Sequence, residues 1–208
     1  MLVLSVVVAA LAAYLLGNLN GAVCMSAIIA HEDVRDQGSG NAGLTNFIRN
    51  YGAGKSLYVI LIDGGKAAIA CINAGLMLEP FGLYQEGLAL GAVAVILGHI
   101  FPALLGFKGG KGILSGCVTA LVMDWRVGLL LLAVFGAAYL LTGYVSLGSI
   151  LGAATYAIGF VVLHHDKPLV MAAGVFIGVL AIIMHHGNIK RLLKGQERKT
   201  DLFARSKK

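Results

Sequence analysis

The chain has 208 residues, of which 58% are hydrophobic and only 12% charged, with a formal net charge of +6 and a mean hydropathy of +0.85. Soluble domains carry about 25% charged residues, so the composition excludes an ordinary water-soluble globule. Charge-free runs recur along the whole length, which excludes a single secretory leader and argues for a multi-pass membrane protein. The basic balance suits cytoplasmic loops facing anionic lipids or substrates, and gives no reason to invoke nucleic acid.

Leu2 to Ala30 is uncharged and long enough for a first span, but Gly17-Asn18-Leu19-Asn20-Gly21 interrupts it. Polar groups at that depth face protein or a water-filled cavity, so a packing notch and a site lining both fit. His31 to Lys55 is the one long polar interval, and it contains Gly38-Ser39-Gly40-Asn41-Ala42-Gly43-Leu44-Thr45-Asn46-Phe47-Ile48-Arg49. Glycines let backbone N–H groups approach a ligand and turn inward as an anion-binding nest. Ser, Thr and Asn add neutral donors, and Arg grips phosphate with two bonds. The simplest ligand for this stretch carries a phosphate; the competing reading is a flexible connector.

Ser56 to Leu78 reads as a second span carrying Asp63 and Lys66. Spaced i, i+3, they share a helix face and can pair, either at a functional site or as a fixture of helix packing. After a turn at Glu79 to Glu86, Gly87 to Leu105 is the third span, running through Gly98-His99-Ile100-Phe101-Pro102. Gly106-Phe107-Lys108-Gly109-Gly110-Lys111-Gly112 follows and resembles a second phosphate cradle, with a plain positive anchor as the alternative. Ile113 to Met123 has only 11 residues, too few for a span of about 20, and reads as tilted or broken. Val127 to Thr142 is the fifth span and Val145 to Leu163 the sixth, with Gly143-Tyr144-Val145-Ser146-Leu147-Gly148-Ser149 at their boundary. Pro168 to Met184 is the seventh. His185, Asn188, Lys190 and Arg191 then open a strongly basic end. Cys24, Cys71 and Cys117 fall in apolar runs without paired spacing and imply neither a disulfide nor a zinc site.

Placing residues 31–55 in the cytoplasm and alternating puts fourteen of the 16 Lys and Arg on that side, leaving Arg126 and Lys167 opposite. The expectation is an all-α bundle of seven transmembrane helices, the fourth short, with the N-terminus out and the C-terminus in. It forms a single domain over residues 1–208, ending in a basic cytoplasmic tail at 187–208. Regions 38–49, 106–112, 143–149 and 185–199 then meet on one face.

Taken together these motifs resemble the PlsY family of membrane acyl-phosphate:glycerol-3-phosphate acyltransferases over nearly the whole chain. The resemblance rests on Gly38-Ser39-Gly40-Asn41-x-Gly43-x-Thr45-Asn46-x-x-Arg49, Asp63-x-x-Lys66, Gly98-His99-x-Phe101-Pro102 with Phe107-Lys108-Gly109-Gly110-Lys111-Gly112, and His185-x-x-Asn188-Ile189-Lys190-Arg191-Leu192 with Gly195-x-Glu197. Leu44, Gly65 and Ala67 depart from the family's usual residues without removing a reactive group. The resemblance implies transfer of a fatty acyl group from acyl phosphate to the 1-hydroxyl of glycerol 3-phosphate, giving lysophosphatidic acid and phosphate. It implies Ser39 and His185 in catalysis, Ser39 with Gly40 and Asn41 at the acyl phosphate. Thr45, Asn46, Arg49, Lys108, Gly109, Gly110, Lys111, Ser146 and Asn188 fall to substrate binding. Ser149 stands as the alternative to Ser146, Lys108 as the alternative to Lys111, and a substrate phosphate oxygen as the alternative base to His185. No cofactor and no metal are expected, because no carboxylate cluster accompanies the phosphate loops. The expected setting is a monomer in the lipid of the inner membrane with its site facing the cytoplasm.

Two rivals remain in view. His31-Glu32-Asp33-Val34-Arg35-Asp36 fits a His-x4-Asp acyltransferase pattern, but no companion block or α/β domain supports it. A phosphate or organophosphate transporter is the alternative from another class. Transporters place their groups near the midplane between related halves, whereas here the candidates gather at one face.

Overall fold

The structure is a computed structural model and describes residues 1–202. Ten α-helices carry the fold: α1 (Leu2–Asn18), α2 (Gly21–Ala30), α3 (Leu44–Tyr51), α4 (Ser56–Leu78), α5 (Tyr84–Ile100), α6 (Ile113–Met123), α7 (Trp125–Thr142), α8 (Val145–Leu163), α9 (Pro168–Met184) and α10 (His186–Leu193). No strand occurs among the described residues. The protein is an all-α integral-membrane bundle, as its composition implies.

In lipid, helices gain little from burying greasy faces, so small residues that let backbones close up decide the packing. A Cβ at Gly98 would stand 2.1 Å from the Tyr14 carbonyl, and one at Gly17 2.4 Å from the Val95 carbonyl. The α1–α5 crossing therefore requires both glycines. Gly91 does the same for α5 on α4, with the Ala70 carbonyl 2.6 Å from a Cβ there. α5 is thus the central post, packed on α1 and α4 and reaching α9, while α7, α8 and α9 pack in sequence beyond α6. Large side chains such as Leu11, Leu61 and Leu140 point outward, as a lipid-facing surface requires.

Five helical stretches are long and apolar enough to cross a membrane: Leu2–Ala30, Ser56–Phe81, Tyr84–Leu105, Trp125–Thr142 and Val145–Leu163. Pro168–Met184 and His186–Leu193 make a sixth only as a pair bent by 55°. The 11-residue α6 is the short element expected from its length. Its brevity has a visible cause. After α5 the chain turns back on itself, Gly109 N–H donating to the Ile100 carbonyl at 3.1 Å and Gly110 N–H to the His99 carbonyl at 3.2 Å. α6 therefore starts below the end of α5, with Gly112 packed against Ile96 and Ile100.

The interrupted first span is closed by a buried ionic knot. A helix break in lipid strands carbonyls on one side and N–H groups on the other. Lys66 Nζ donates to the Gly17 carbonyl at 3.1 Å and to the Leu19 carbonyl, while Asp63 Oδ1 accepts Gly21 N–H at 3.1 Å. The two side chains pair at 2.8 Å and are both buried. A cation thus sits at the C-terminal end of α1 and an anion at the N-terminal end of α2, as the helix dipoles favour. Asn20 completes the cap by accepting Val23 N–H at 3.0 Å, and His99 Nδ1 lies 2.9 Å from Lys66. Of the two readings open for Asp63 and Lys66, the structure supports packing.

At the other end of the bundle Asp124 joins α6 to α7. It caps Arg126 N–H, pairs with the Arg126 guanidinium at 2.6 Å and meets His164 Nε2 at 2.9 Å. The last expected segment differs from a trailing tail: its first part is α10, and residues 195–202 fold back on the bundle. Arg205, Lys207 and Lys208 of that expected tail lie outside the described residues.

Candidate active site

The first glycine loop is held from inside by Asn46. Gly38 and Gly40 adopt φ of +61° and +71°, the left-handed region that favours glycine. Asn46 Oδ1 accepts Ser39 N–H at 3.0 Å, and its Nδ2 donates to the Val34 and Gln37 carbonyls, each at 3.0 Å. This amide is buried and its bonds shape the loop from within. Ser39 and Gly40 stay exposed. The loop feeds directly into α3, whose N-cap is Gly43 with no side chain to cap it. The first-turn N–H groups, beside Thr45, are left for an outside acceptor.

The second glycine stretch lies against the first. A Cβ at Gly110 would meet His99 Nε2 at 2.3 Å and the Ala42 carbonyl at 2.7 Å; one at Gly109 would meet the His99 carbonyl at 2.0 Å. Gly110 thus lets the two loops touch, while Gly109 lets its own stretch close against the end of α5. Asn20 Nδ2 holds the Ala42 carbonyl from below at 3.0 Å. Arg35 ties the loops from outside, donating to the Leu105 and Lys108 carbonyls at 2.8 and 3.1 Å. Asn41, half-buried, closes a turn by accepting Gly43 N–H at 2.9 Å.

One residue past Gly110, Lys111 enters a polar cluster drawn from the far end of the chain. Its ammonium bonds Asn188 Oδ1; Asn188 Nδ2 donates to Glu197 Oε1 at 2.8 Å, and Arg191 Nε donates to Glu197 Oε2 at 2.7 Å. Burial, helped by the charges of Arg191 and Arg49, pushes the Lys111 pKa down to about 8, with Glu197 opposing. Glu197 is held below the usual carboxylate range: burial works against its charge, but the bonds from Asn188 and Arg191 outweigh it. Arg49, on α3, reaches the same cluster and donates to the hydroxyl of Thr200 and, at 3.2 Å, to the Arg198 carbonyl.

The alternatives open in the sequence separate here. Ser146 is buried, faces Glu197 and has no hydrogen bond of normal geometry, whereas Ser149 donates to the Val145 carbonyl at 2.9 Å. Lys108 is exposed and shares an outward polar cleft with Arg35 and Gly40, apart from the Lys111 cluster. His185 is buried at the α9–α10 bend. Its Nδ1 lies 2.7 Å from the Ala181 carbonyl, which can only accept, so Nδ1 carries the hydrogen and Nε2 keeps a lone pair. From Lys111 a narrow apolar slot of about 20 Å³ runs into the bundle between Cys117, Leu131, Phe135, Tyr156 and Ile177. Among the described residues no group of three or more His, Cys, Asp or Glu is placed to hold a metal ion. Thr200 and Tyr139, which shape the edge of this cluster, carry no motif and no charge, so nothing in their sequence neighbourhood marks them.

Fold and site define a class: an integral-membrane helical protein that presents phosphate-type donors and an apolar slot at one end of its bundle. Residues 7–195 match the family model described as Glycerol-3-phosphate acyltransferase, and the chain belongs to that family. It is 37% identical over 199 residues to a glycerol-3-phosphate acyltransferase of Clostridioides difficile, covering 95% of this chain and 96% of that one. It is 35% identical over 195 residues to one of Ralstonia pickettii, covering 94% of each. The crystal structure of PlsY, an integral membrane glycerol 3-phosphate acyltransferase in its glycerol 3-phosphate form, superposes with a TM-score of 0.85 at 31% identity, covering 95% of this chain and 96% of that one. A lysophosphatidic acid form of PlsY gives 0.82 at 30% identity, with the same coverage.

Proposed function

We propose that this chain transfers a fatty acyl group from acyl phosphate to the 1-hydroxyl of glycerol 3-phosphate, releasing lysophosphatidic acid and phosphate. Family membership and the two PlsY forms support the acceptor and the product; the acyl phosphate donor is our reading of the two phosphate-type regions. The observation that carries the proposal is the meeting of Arg49, Lys111, Ser146, His185 and Asn188 from four separate stretches at one end of the bundle.

Arg49, Lys111, Ser146 and Asn188 hold the phosphate and hydroxyls of glycerol 3-phosphate. Ser39, Gly40, Asn41 and the open N-terminus of α3, with Lys108 at the outer cleft, take the phosphate of the donor. The acyl chain lies along the apolar surface between helices, with the narrow slot beside Lys111 marking where that surface opens. An acyl phosphate is already activated, so the site must orient two molecules and steady charge more than supply a strong nucleophile. The acceptor hydroxyl oxygen attacks the acyl carbon, the carbon–oxygen bond to phosphate breaks, and phosphate leaves with the electron pair. The hydroxyl proton ends on a phosphate oxygen, with the Nε2 lone pair of His185 aligning that hydroxyl.

The topology follows the charge. Seven crossings are reached when α6, 11 residues or about 16 Å long, is counted as a crossing together with the segments that flank it. The polar end then faces the cytoplasm, with the N-terminus outside, in the inner membrane.

Purified protein in detergent, given synthetic acyl phosphate and glycerol 3-phosphate, is expected to release phosphate and form lysophosphatidic acid without a sealed compartment. A requirement for a sealed compartment would favour a transporter. Equal rates with acyl-CoA alone would overturn the donor assignment.

A further inference from the structure

The family match ends at residue 195, yet residues 196–202 close over the cluster. This strap is anchored without help from Arg49. Glu197 binds Asn188 and Arg191 at one end. Thr200 N–H donates to the Gly143 carbonyl at 3.2 Å, Tyr139 Oη donates to the Thr200 carbonyl at 3.0 Å, and Leu202 N–H returns to Tyr139 Oη at 3.1 Å. Lys199 lies 5.6 Å above the Tyr144 ring. The strap is therefore fixed on the α7–α8 corner and on α10, two elements that pack apart from α3.

Arg49 is the partner that the strap holds. It sits exposed on an eight-residue helix, and a free arginine side chain has wide rotamer freedom. Its Nε and Nη2 both donate to Thr200 Oγ1, and Nη2 also donates to the Arg198 carbonyl. Two adjacent donors on one acceptor fix the plane of the guanidinium.

We propose that Thr200 is a positioning residue for glycerol 3-phosphate: it holds the guanidinium of Arg49 in the plane from which it grips the acceptor's phosphate. The assignment rests on Arg49 binding that phosphate. The strap thereby sets both ends of the acceptor site, Asn188 through Glu197 and Arg49 through Thr200, and leaves the donor loop around Ser39 to Asn46 and Asn20. The chemical consequence is selective. Loss of the Thr200 hydroxyl weakens acceptor binding and spares the donor.

Steady-state kinetics of the full chain in detergent test this. Thr200→Val keeps the shape and removes the acceptor. It is expected to raise KM for glycerol 3-phosphate roughly ten-fold, the scale of a hydrogen bond to a charged group. KM for acyl phosphate and the melting temperature should stay at wild-type values, and Thr200→Ser should restore the acceptor KM. Tyr139→Phe frees the Thr200 carbonyl and should shift the same KM in the same direction by less. It carries the test if Thr200→Val does not fold. An unchanged acceptor KM, an equal rise in both KM values, or a Ser variant as impaired as the Val variant would each overturn the assignment while leaving the acyltransferase reading intact. Wild-type protein that makes no lysophosphatidic acid would overturn that reading and the assignment with it.

Discussion

Two polar clusters sit in this greasy bundle, and they differ in what they leave over. In the Asp63–Lys66–His99 knot each group faces a partner, including the stranded backbone ends at Gly17, Leu19 and Gly21. In the Lys111–Asn188–Glu197 cluster, Arg49, Lys111 and Arg191 gather around the Glu197 carboxylate, and the buried Ser146 hydroxyl faces it without a hydrogen bond of normal geometry. Buried charge is costly unless paired, so cations gathered in this way suit a place where an anion belongs. A closed cluster marks scaffold. Charge inside a membrane protein is thus read by its surplus, not by its presence.

The largest effect should come from unbalancing the closed cluster. Lys66→Met leaves the buried Asp63 carboxylate without its cation and two helix-end carbonyls without a donor, a change worth about 3–5 kcal/mol. The expected outcome is loss of the monodisperse peak on size exclusion in detergent. A folded variant of normal activity would mean that the knot is not scaffold.

In the open cluster, Arg49→Ala removes one of the surplus cations while leaving the fold. The second prediction is a fall of about a hundred-fold in kcat/KM for glycerol 3-phosphate with little change in melting temperature. Unchanged kinetics would remove Arg49 from the site.

A smaller effect separates the clusters by pH. With its pKa lowered to about 8, Lys111 loses its proton earlier than an ordinary lysine. Its charge is fully present below that value and is lost as pH rises through it. KM for glycerol 3-phosphate should therefore climb several-fold between about pH 7 and 9, and Lys111→Arg should flatten the rise. A flat wild-type profile would place Lys111 away from the phosphate.

The smallest effect belongs to the far end. The bond from Arg126 holds the Asp124 carboxyl down to about 2, against an unfolded value near 4. Its contribution is present above the unfolded value and fades as pH falls toward about 2. Asp124→Asn should cost about 1 kcal/mol of thermal stability at neutral pH and leave both KM values untouched. A change in acyl transfer would couple that end to the chemistry.

Much of this was legible in the residues. Spans followed from charge-free length, and the helical break at Gly17–Gly21 and the shortness of Ile113–Met123 were both readable. The two glycine stretches that meet at Gly110 and Ala42 were marked by their glycine and donor spacing. The partners of Lys66 were not legible, because two of them are backbone carbonyls that no side-chain pattern reveals. That the Asn46 amide bonds the Val34 and Gln37 carbonyls was not legible either, because backbone partners leave no side-chain pattern. Ser146 and Ser149 are alike in sequence; only the helix register, which gives Ser149 a carbonyl and denies Ser146 one, tells them apart. The fold-back of residues 195–202 depends on tertiary contacts with Gly143 and Tyr139, so a basic composition could not announce it.

The inward turn before α6 has one more consequence. By returning to the level of His99 before the helix begins, the chain sinks Lys111 beneath the rim of the bundle. A water-borne polyol phosphate therefore descends to meet a lipid already lying in the leaflet. The product is assembled with its tail among neighbouring tails and its anionic head near the boundary, and needs no further rotation or lift to join the bilayer.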